Sequence, residues 1–247
     1  MSLRTEALFR EDSYLREAEA EVLAVNERDG VILDRTIFYA TSGGQPGDTG
    51  TMVLADGTVV PIAATVTGET KDEIIHVPAE GAAVPVIGSR VKLAIDWPRR
   101  FNLMRMHTAC HLVSVICPFP ITGASVAEDD SRIDLDIPDT SYTKELVTER
   151  LMEMVRADHP VFMRWITDEE LAANPGLVKT MMVKPLTGSG IVRLVRIGDD
   201  LDLQPCGGTH VRATGEIGDV HVAKVEKKGR INRRFRIRFG ALPIEDI

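Results

Sequence analysis

DWPRRFNLMRMHTACHLVSVICP, residues 96–118 of the 247-residue chain, is the stretch that decides how the rest is read. Asp96 can cap a helix and Pro98 suits its first turn; neither Gly nor a further Pro follows until Pro118, which predicts about 20 helical residues. At about 100° per residue, Leu103, Met106, Cys110, Val113 and Cys117 share one stripe, so Cys110 and Cys117 read as core packers. His107 and His111 lie together on a flank, beside Met104 and Arg100.

The chain changes character across this helix. Before it, the β-prone runs 21–25, 31–34, 58–62 and 91–95 are separated by DG, GG, PG and TG turns, which predicts a small barrel or sandwich. After it, residues 131–137 alternate Ile133, Leu135 and Ile137 with charged neighbours as a half-buried strand does, and residues 143–158 form a helix with Val147, Leu151, Met154 and Val155 inside. Residues 161–166 and 191–197 read as strands, Thr167-Asp-Glu-Glu170 as a capping box, and 220–239 as a hairpin turning near Lys228-Gly229. The expected class is α+β: a small N-terminal β-barrel domain over 1–95 and a C-terminal α+β domain over 96–247, a sheet with helices on one face.

A composition of 44% hydrophobic and 27% charged residues supports a core and argues against disorder. No apolar run approaches the roughly 20 residues of a membrane span, and the charged start MSLRTEALFRED does not resemble a secretory signal, so a soluble cytoplasmic protein is expected. Cys110, Cys117 and Cys206 are an odd number at wide spacing, which excludes a disulfide framework. The net charge of -8 argues against bulk coating of nucleic acid, yet residues 221–240 hold eight basic side chains and one acidic. Such a patch suits an anionic partner met along one limited contact, such as one end of a nucleic acid; the competing reading is a solvated basic hairpin.

His107-Thr-Ala-Cys-His111 sets two imidazoles at i and i+4 on one helix face, where both can reach one metal ion. Cys206-Gly-Gly-Thr-His210 adds a thiolate and a third imidazole around a Gly-Gly turn. Together they make a His3Cys set suited to one Zn2+ per chain. A zincin protease would need Glu where Thr108 stands, and a zinc base deaminase would need a second Cys that Pro205-Cys206-Gly-Gly-Thr209 lacks. His76, His159 and His221 read as structural. Thr41-Ser-Gly-Gly-Gln-Pro-Gly-Asp-Thr-Gly50 is either a pair of tight turns or a loop whose amides approach a ligand; it has neither the Lys of a P-loop nor the GxGxxG spacing.

FYATSGGQPGDTG, HTACH and CGGTH, in this order and at these separations, resemble the editing domain of alanyl-tRNA synthetase, and the chain length is similar to that of its free-standing relatives, the medium-length alanyl-tRNA editing proteins. The resemblance runs from about Val31 to Phe239 and includes the stretches 123–134 and 227–236. Cys110 departs from it, standing where Thr or another small residue is more usual. The resemblance implies an N-terminal barrel carrying the Gly-rich loop and a zinc-containing domain of the threonyl/alanyl-tRNA synthetase second additional domain type. It implies hydrolysis, in trans and without ATP, of tRNA(Ala) wrongly charged with serine or glycine. On it, His107, His111, Cys206 and His210 match zinc positions, and Gly43, Gly44, Gln45, Gly47 and Asp48 match the loop that discriminates the amino acid.

Alanine is smaller than serine, so rejecting the correct product must use the hydroxyl, and Thr41, Ser42, Gln45 and Thr49 are where to look. Gln45 and Thr41 or Thr108 are the candidates for placing the water or the serine hydroxyl. Lys228, Arg230, Arg233, Arg234 and Arg236, with Lys227, are the candidates for holding the tRNA acceptor stem near its 3′ end. Arg234, Arg236 and Arg238 share one strand face, so only some of these can touch RNA. A monomer without membrane contact is expected. The rival class is a non-catalytic, zinc-stabilised RNA-binding module.

Overall fold

Apolar residues recurring every second position build the first part of the molecule. The computed structural model describes residues 4–138, 141–179 and 190–243. Its first strands are β1 (Glu6–Ala7), β2 (Glu17–Val25), β3 (Val31–Leu33), β4 (Arg35–Thr36), β5 (Gly50–Val53), β6 (Val59–Thr67), β7 (Ile74–Pro78) and β8 (Arg90–Ile95). Six of them close into a barrel in the order β2-β3-β7-β6-β5-β8, and β1 pairs with β4 alone. Val22, Val31, Leu33, Met52, Val60 and Leu93 fill the barrel with Phe38. The choice between barrel and sandwich is thus settled for the barrel, which leaves no open edge. β5 and β7 lie outside the expected runs: β5 starts on a glycine, and β7 contains His76 and ends at Pro78.

Gly50 is needed where it stands, since a Cβ there would meet the Ala94 carbonyl oxygen at 2.2 Å across the β5–β8 pair. His76 faces the interior, fully buried, and its structural reading is consistent with its bonds. Thr36 Oγ1 lies 2.7 Å from His76 Nε2, and Nδ1 lies 3.1 Å from the Val31 carbonyl, so the ring is neutral with its proton on Nδ1. Burial lowers its pKa to about 4.

The long helix forms as α1 (Trp97–Ile116), and Asp96 Oδ1 accepts from the Arg99 amide at its start. The chain divides into two units between Phe101 and Asn102, within this helix. The single apolar stripe expected for α1 is corrected: every residue from Met106 to Ser114 is buried, as in a helix enclosed on all sides, so His107 and His111 lie inside.

The second unit continues with β9 (Ile121–Ser125), β10 (Asp130–Asp136), α2 (Lys144–Arg156), β11 (Val161–Thr167), α3 (Asp168–Ala173), β12 (Ile191–Ile197), β13 (Asp202–Pro205), β14 (Val220–Lys227) and β15 (Asn232–Phe239). The capping box forms in full, with Thr167 accepting from the Glu170 amide and the Glu170 carboxylate accepting from the Thr167 amide. The one expected sheet is instead two, a four-stranded sheet β14-β15-β10-β9 and a three-stranded sheet β11-β12-β13. Alternation shows which face of a strand is buried and leaves its partner unspecified, which is why the division was not legible. In the four-stranded sheet Ile133, Leu135, Phe235 and Ile237 form the buried face, and α2 is tied to it where the Val222 amide donates to Thr148 Oγ1.

Candidate metal centre

Two short segments converge here. α1 presents His107 and His111, with 7% exposure each, and the loop after β13 presents Cys206 and His210. One donor atom from each of the four lies within 4.8 Å of all the others. Cys206 Sγ stands 3.5 Å from His107 Nε2 and 3.3 Å from His210 Nε2. Zinc bonds of about 2.0–2.1 Å to nitrogen and 2.3 Å to sulfur give a tetrahedral S–N edge of about 3.5 Å, so the donor set fits Zn2+.

Three of the four candidate ligands, His210, His111 and Cys206, are held from behind. Thr108 Oγ1 donates to the Met104 carbonyl and lies 3.1 Å from His210 Nδ1, so it accepts the imidazole proton and leaves Nε2 to face the sulfur. The Thr108 hydroxyl, a candidate for placing a water, is fully buried and bonded to His210 and the Met104 carbonyl. His111 Nδ1 lies 3.1 Å from Asp202 Oδ2. Asp202 also accepts from Gln204 Nε2 at 2.7 Å and from Lys179 Nζ at 2.5 Å. Arg193, on β12, donates to the carbonyls of Cys206 and Gly208, and the Gly208 amide donates to Cys206 Sγ at 3.4 Å. Asp202, Gln204, Lys179 and Arg193 were missed from sequence. The available signal was alternation, because Asp202, Gln204 and Cys206 fall on one side of an extended segment.

The protonation states differ across this small volume. Burial alone would push the Cys206 thiol up, but His107 and His210 beside it hold it well below the usual thiol range, as a thiolate. Burial would lower His111, yet Asp202 and Cys206 lift it to about 9. Burial and the adjacent His107 take His210 down to about 3. Burial would raise Asp202, but His111 and Lys179 hold it at about 2. A thiolate and a carboxylate beside three imidazoles suit a dication. By contrast Cys110 and Cys117 are buried and inert, each pushed up to about 12 by burial.

The Gly-rich loop belongs to the first unit. Gly43 and Gly44 have φ of 56° and 85°, the two left-handed residues of a tight turn closed by hydrogen bonds between Ser42 and Gln45. Gly47 admits no side chain, since a Cβ would meet the Thr65 carbonyl oxygen at 1.9 Å. Thr41 Oγ1 donates to the Thr65 carbonyl and accepts from the Gly47 amide. Gln45 is fully buried. Asp48, expected to touch substrate, is 1% exposed, pairs with the fully buried Arg100 guanidinium and accepts from the Tyr39 amide; Arg100 also donates to the carbonyls of Ser13 and Ile37. Asp48 thus ties the loop to a cation 52 residues away in sequence.

The basic hairpin is partly neutralised within its own sheet. Arg234 makes a two-toothed pair with Asp134, Arg236 meets Asp130 and Glu226, and Lys228 meets Glu226. Arg230 and Arg233, at and beside the turn, have no carboxylate within ion-pair distance among the described residues.

Residues 192–236 match the family model described as threonyl and alanyl tRNA synthetase second additional domain, and residues 4–99 match that of class II (A) tRNA synthetases. The chain is 35% identical, over 93% of its own length and 97% of the relative's, to the alanyl-tRNA editing protein AlaX-M of Methanosarcina acetivorans. The protein of the same name from Saccharolobus solfataricus is 33% identical over the same shares. The alanine–tRNA ligase of Pyrobaculum calidifontis is 38% identical over 91% of the chain, which spans 25% of that ligase. No described helix is long and apolar enough to cross a membrane. With that identity along nearly the whole of both chains, this chain belongs to the family of alanyl-tRNA editing proteins of the AlaX-M type.

Proposed function

We propose that the chain hydrolyses, in trans, the ester that joins a wrong amino acid to tRNA(Ala), with Ser-tRNA(Ala) as its first substrate and Gly-tRNA(Ala) its second. The observation that carries this reading is the convergence of His107, His111, Cys206 and His210, with donor atoms within 4.8 Å of one another, in a chain of this family. His107, His111 and Cys206, with His210 near or on the ion, would hold Zn2+, which would supply a Lewis acid for the ester carbonyl. Thr108 keeps the Nε2 lone pair of His210 directed into the cluster, and Asp202 does the same for His111. The division of labour is that of a barrel domain over 1–95 and a zinc-containing α+β editing domain over 96–247.

Discrimination is assigned to the Gly-rich loop. Thr41 Oγ1 donates once, to the Thr65 carbonyl on β6, and accepts once, from the Gly47 amide, which leaves one lone pair for a substrate hydroxyl or a water. Alanine has no hydroxyl to offer it. Buried Gln45, with Gly43 and Gly44, shapes the turn that presents Thr41 and the exposed Ser42. For the tRNA acceptor stem and 3′ end, Arg230 and Arg233 are the first contacts, ahead of Arg234, Arg236 and Lys228, whose charges are already shared with acids. The working form is a cytoplasmic monomer.

The burial of all three histidines favours a second reading, a closed structural zinc site in an RNA-binding module. Chelation separates the two. A catalytic centre loses turnover while far-UV circular dichroism and the barrel persist; a structural one loses the fold of the second unit, with no ester hydrolysis at any zinc loading.

A further inference from the structure

The metal cluster is backed by a carboxylate that belongs to no motif. Asp202 is 4% exposed, and its two oxygens have different partners. Oδ2 faces His111 Nδ1 at 3.1 Å and Gln204 Nε2 at 2.7 Å, while Oδ1 lies 2.5 Å from Lys179 Nζ. Gln204 Nε2 also reaches Ser114 Oγ at 3.3 Å, and the Ser114 hydroxyl donates to the His111 carbonyl at 2.7 Å. One carboxylate is thereby linked to both the ring and the backbone of His111. A carboxylate only accepts, so Nδ1 of His111 carries a proton and Nε2 is the nitrogen left for a metal, which would take the place of any proton there.

We propose that Asp202 is a positioning residue of the metal centre, fixing the ring of His111 and strengthening it as a donor, and that Lys179 limits how much negative charge Asp202 passes to the bound ion. The proposal rests on the zinc reading above. A carboxylate hydrogen-bonded to the far nitrogen of a ligating imidazole raises its basicity and locks its tautomer. An ammonium on the other oxygen draws charge the opposite way and adds like-charge repulsion towards a dication. The two partners of this ion pair therefore have opposite effects on metal affinity. A pair serving only to join β13 to the segment before residue 180 would change stability alike from either side and leave the metal's affinity unmoved.

The test uses the full chain, titrated with Zn2+ against a chromophoric chelator, and with Co2+ as a spectroscopic probe. Asp202→Asn is expected to weaken Zn2+ binding about 10- to 100-fold and to alter the Co2+ ligand-field bands while the thiolate charge-transfer band remains. Lys179→Met is expected to tighten binding by about tenfold, and Lys179→Arg to restore the wild-type value. Changes below twofold in both Asp202→Asn and Lys179→Met, or changes of the same sign, overturn the proposal. Should Asp202→Asn fail to fold, the sign seen with Lys179→Met decides, since that side chain is 31% exposed and its loss is tolerable. Wild-type protein that binds neither ion refutes the zinc reading itself; tight wild-type binding that is insensitive to both residues refutes only this inference.

Discussion

The Gly-rich loop and the His/Cys cluster look equally chemical as strings of residues, and the fold treats their polar groups in opposite ways. In the loop the charged group is consumed: Asp48 is matched by Arg100, and Thr41 Oγ1 donates to the Thr65 carbonyl on β6 and accepts from the Gly47 amide. In the cluster the polar neighbours stand behind the ligands, with Thr108 on His210 Nδ1, Asp202 on His111 Nδ1 and Gly208 on Cys206, so that Nε2 and Sγ atoms face one another. Glycines with small polar residues specify a turn and a close backbone approach. Imidazoles and a thiolate at short spacing specify donors aimed at a point. Polar content alone does not separate the two cases; what lies behind each polar atom does.

The largest expected effect breaks the loop side of this contrast. Arg100→Met leaves the Asp48 carboxylate buried without its cation and should lower the unfolding free energy of the barrel by about 3–5 kcal/mol in urea titrations, while Arg100→Met with Asp48→Leu regains most of it. A loss below about 1 kcal/mol in the single variant would show that Asp48 is not structural.

His76 sharpens the same side through pH. Its pKa is about 4 folded against 6.5 for a free histidine, so between these values the unfolded chain takes up a proton that the barrel refuses. The stabilisation is complete above pH 6.5 and is lost as pH falls towards 4, amounting to about 3 kcal/mol. Urea titrations followed by Trp97 fluorescence in a Trp165→Phe background should show this slope, and His76→Gln should remove it.

A smaller effect is expected on the other side. Thr108→Val keeps the shape of the side chain but leaves the His210 Nδ1–H buried without its acceptor, which should weaken Zn2+ binding by about tenfold with the circular dichroism spectrum unchanged. Unchanged affinity would mean that His210 needs no such support.

Much of this molecule was legible from local pattern. The helix containing both histidines, the capping box at Thr167 and the basic hairpin all follow from periodicity, caps and turn residues, and the four clustered His and Cys side chains from two i, i+4 spacings. What was not legible depends on distant pairing. Asp202 meets His111 across 91 positions, and Arg100 meets Asp48 across 52. The split into two sheets is likewise a choice of partners, with β10 joining β15 from near the end of the chain. The acids of β10 on the same face as Arg234 and Arg236 then explain why a run of eight basic residues presents only part of its charge outward.

The central claim is that the cluster is a working metal centre for ester hydrolysis and the loop a reader of the amino acid. Deacylation of Ser-tRNA(Ala), Gly-tRNA(Ala) and Ala-tRNA(Ala) by the purified chain, with and without a zinc chelator, tests it most directly. The account predicts rapid loss of the seryl ester, slower loss of the glycyl ester, a spared alanyl ester, and no hydrolysis after chelation. Equal hydrolysis of seryl and alanyl esters, or turnover that survives complete removal of the metal from folded protein, would contradict it.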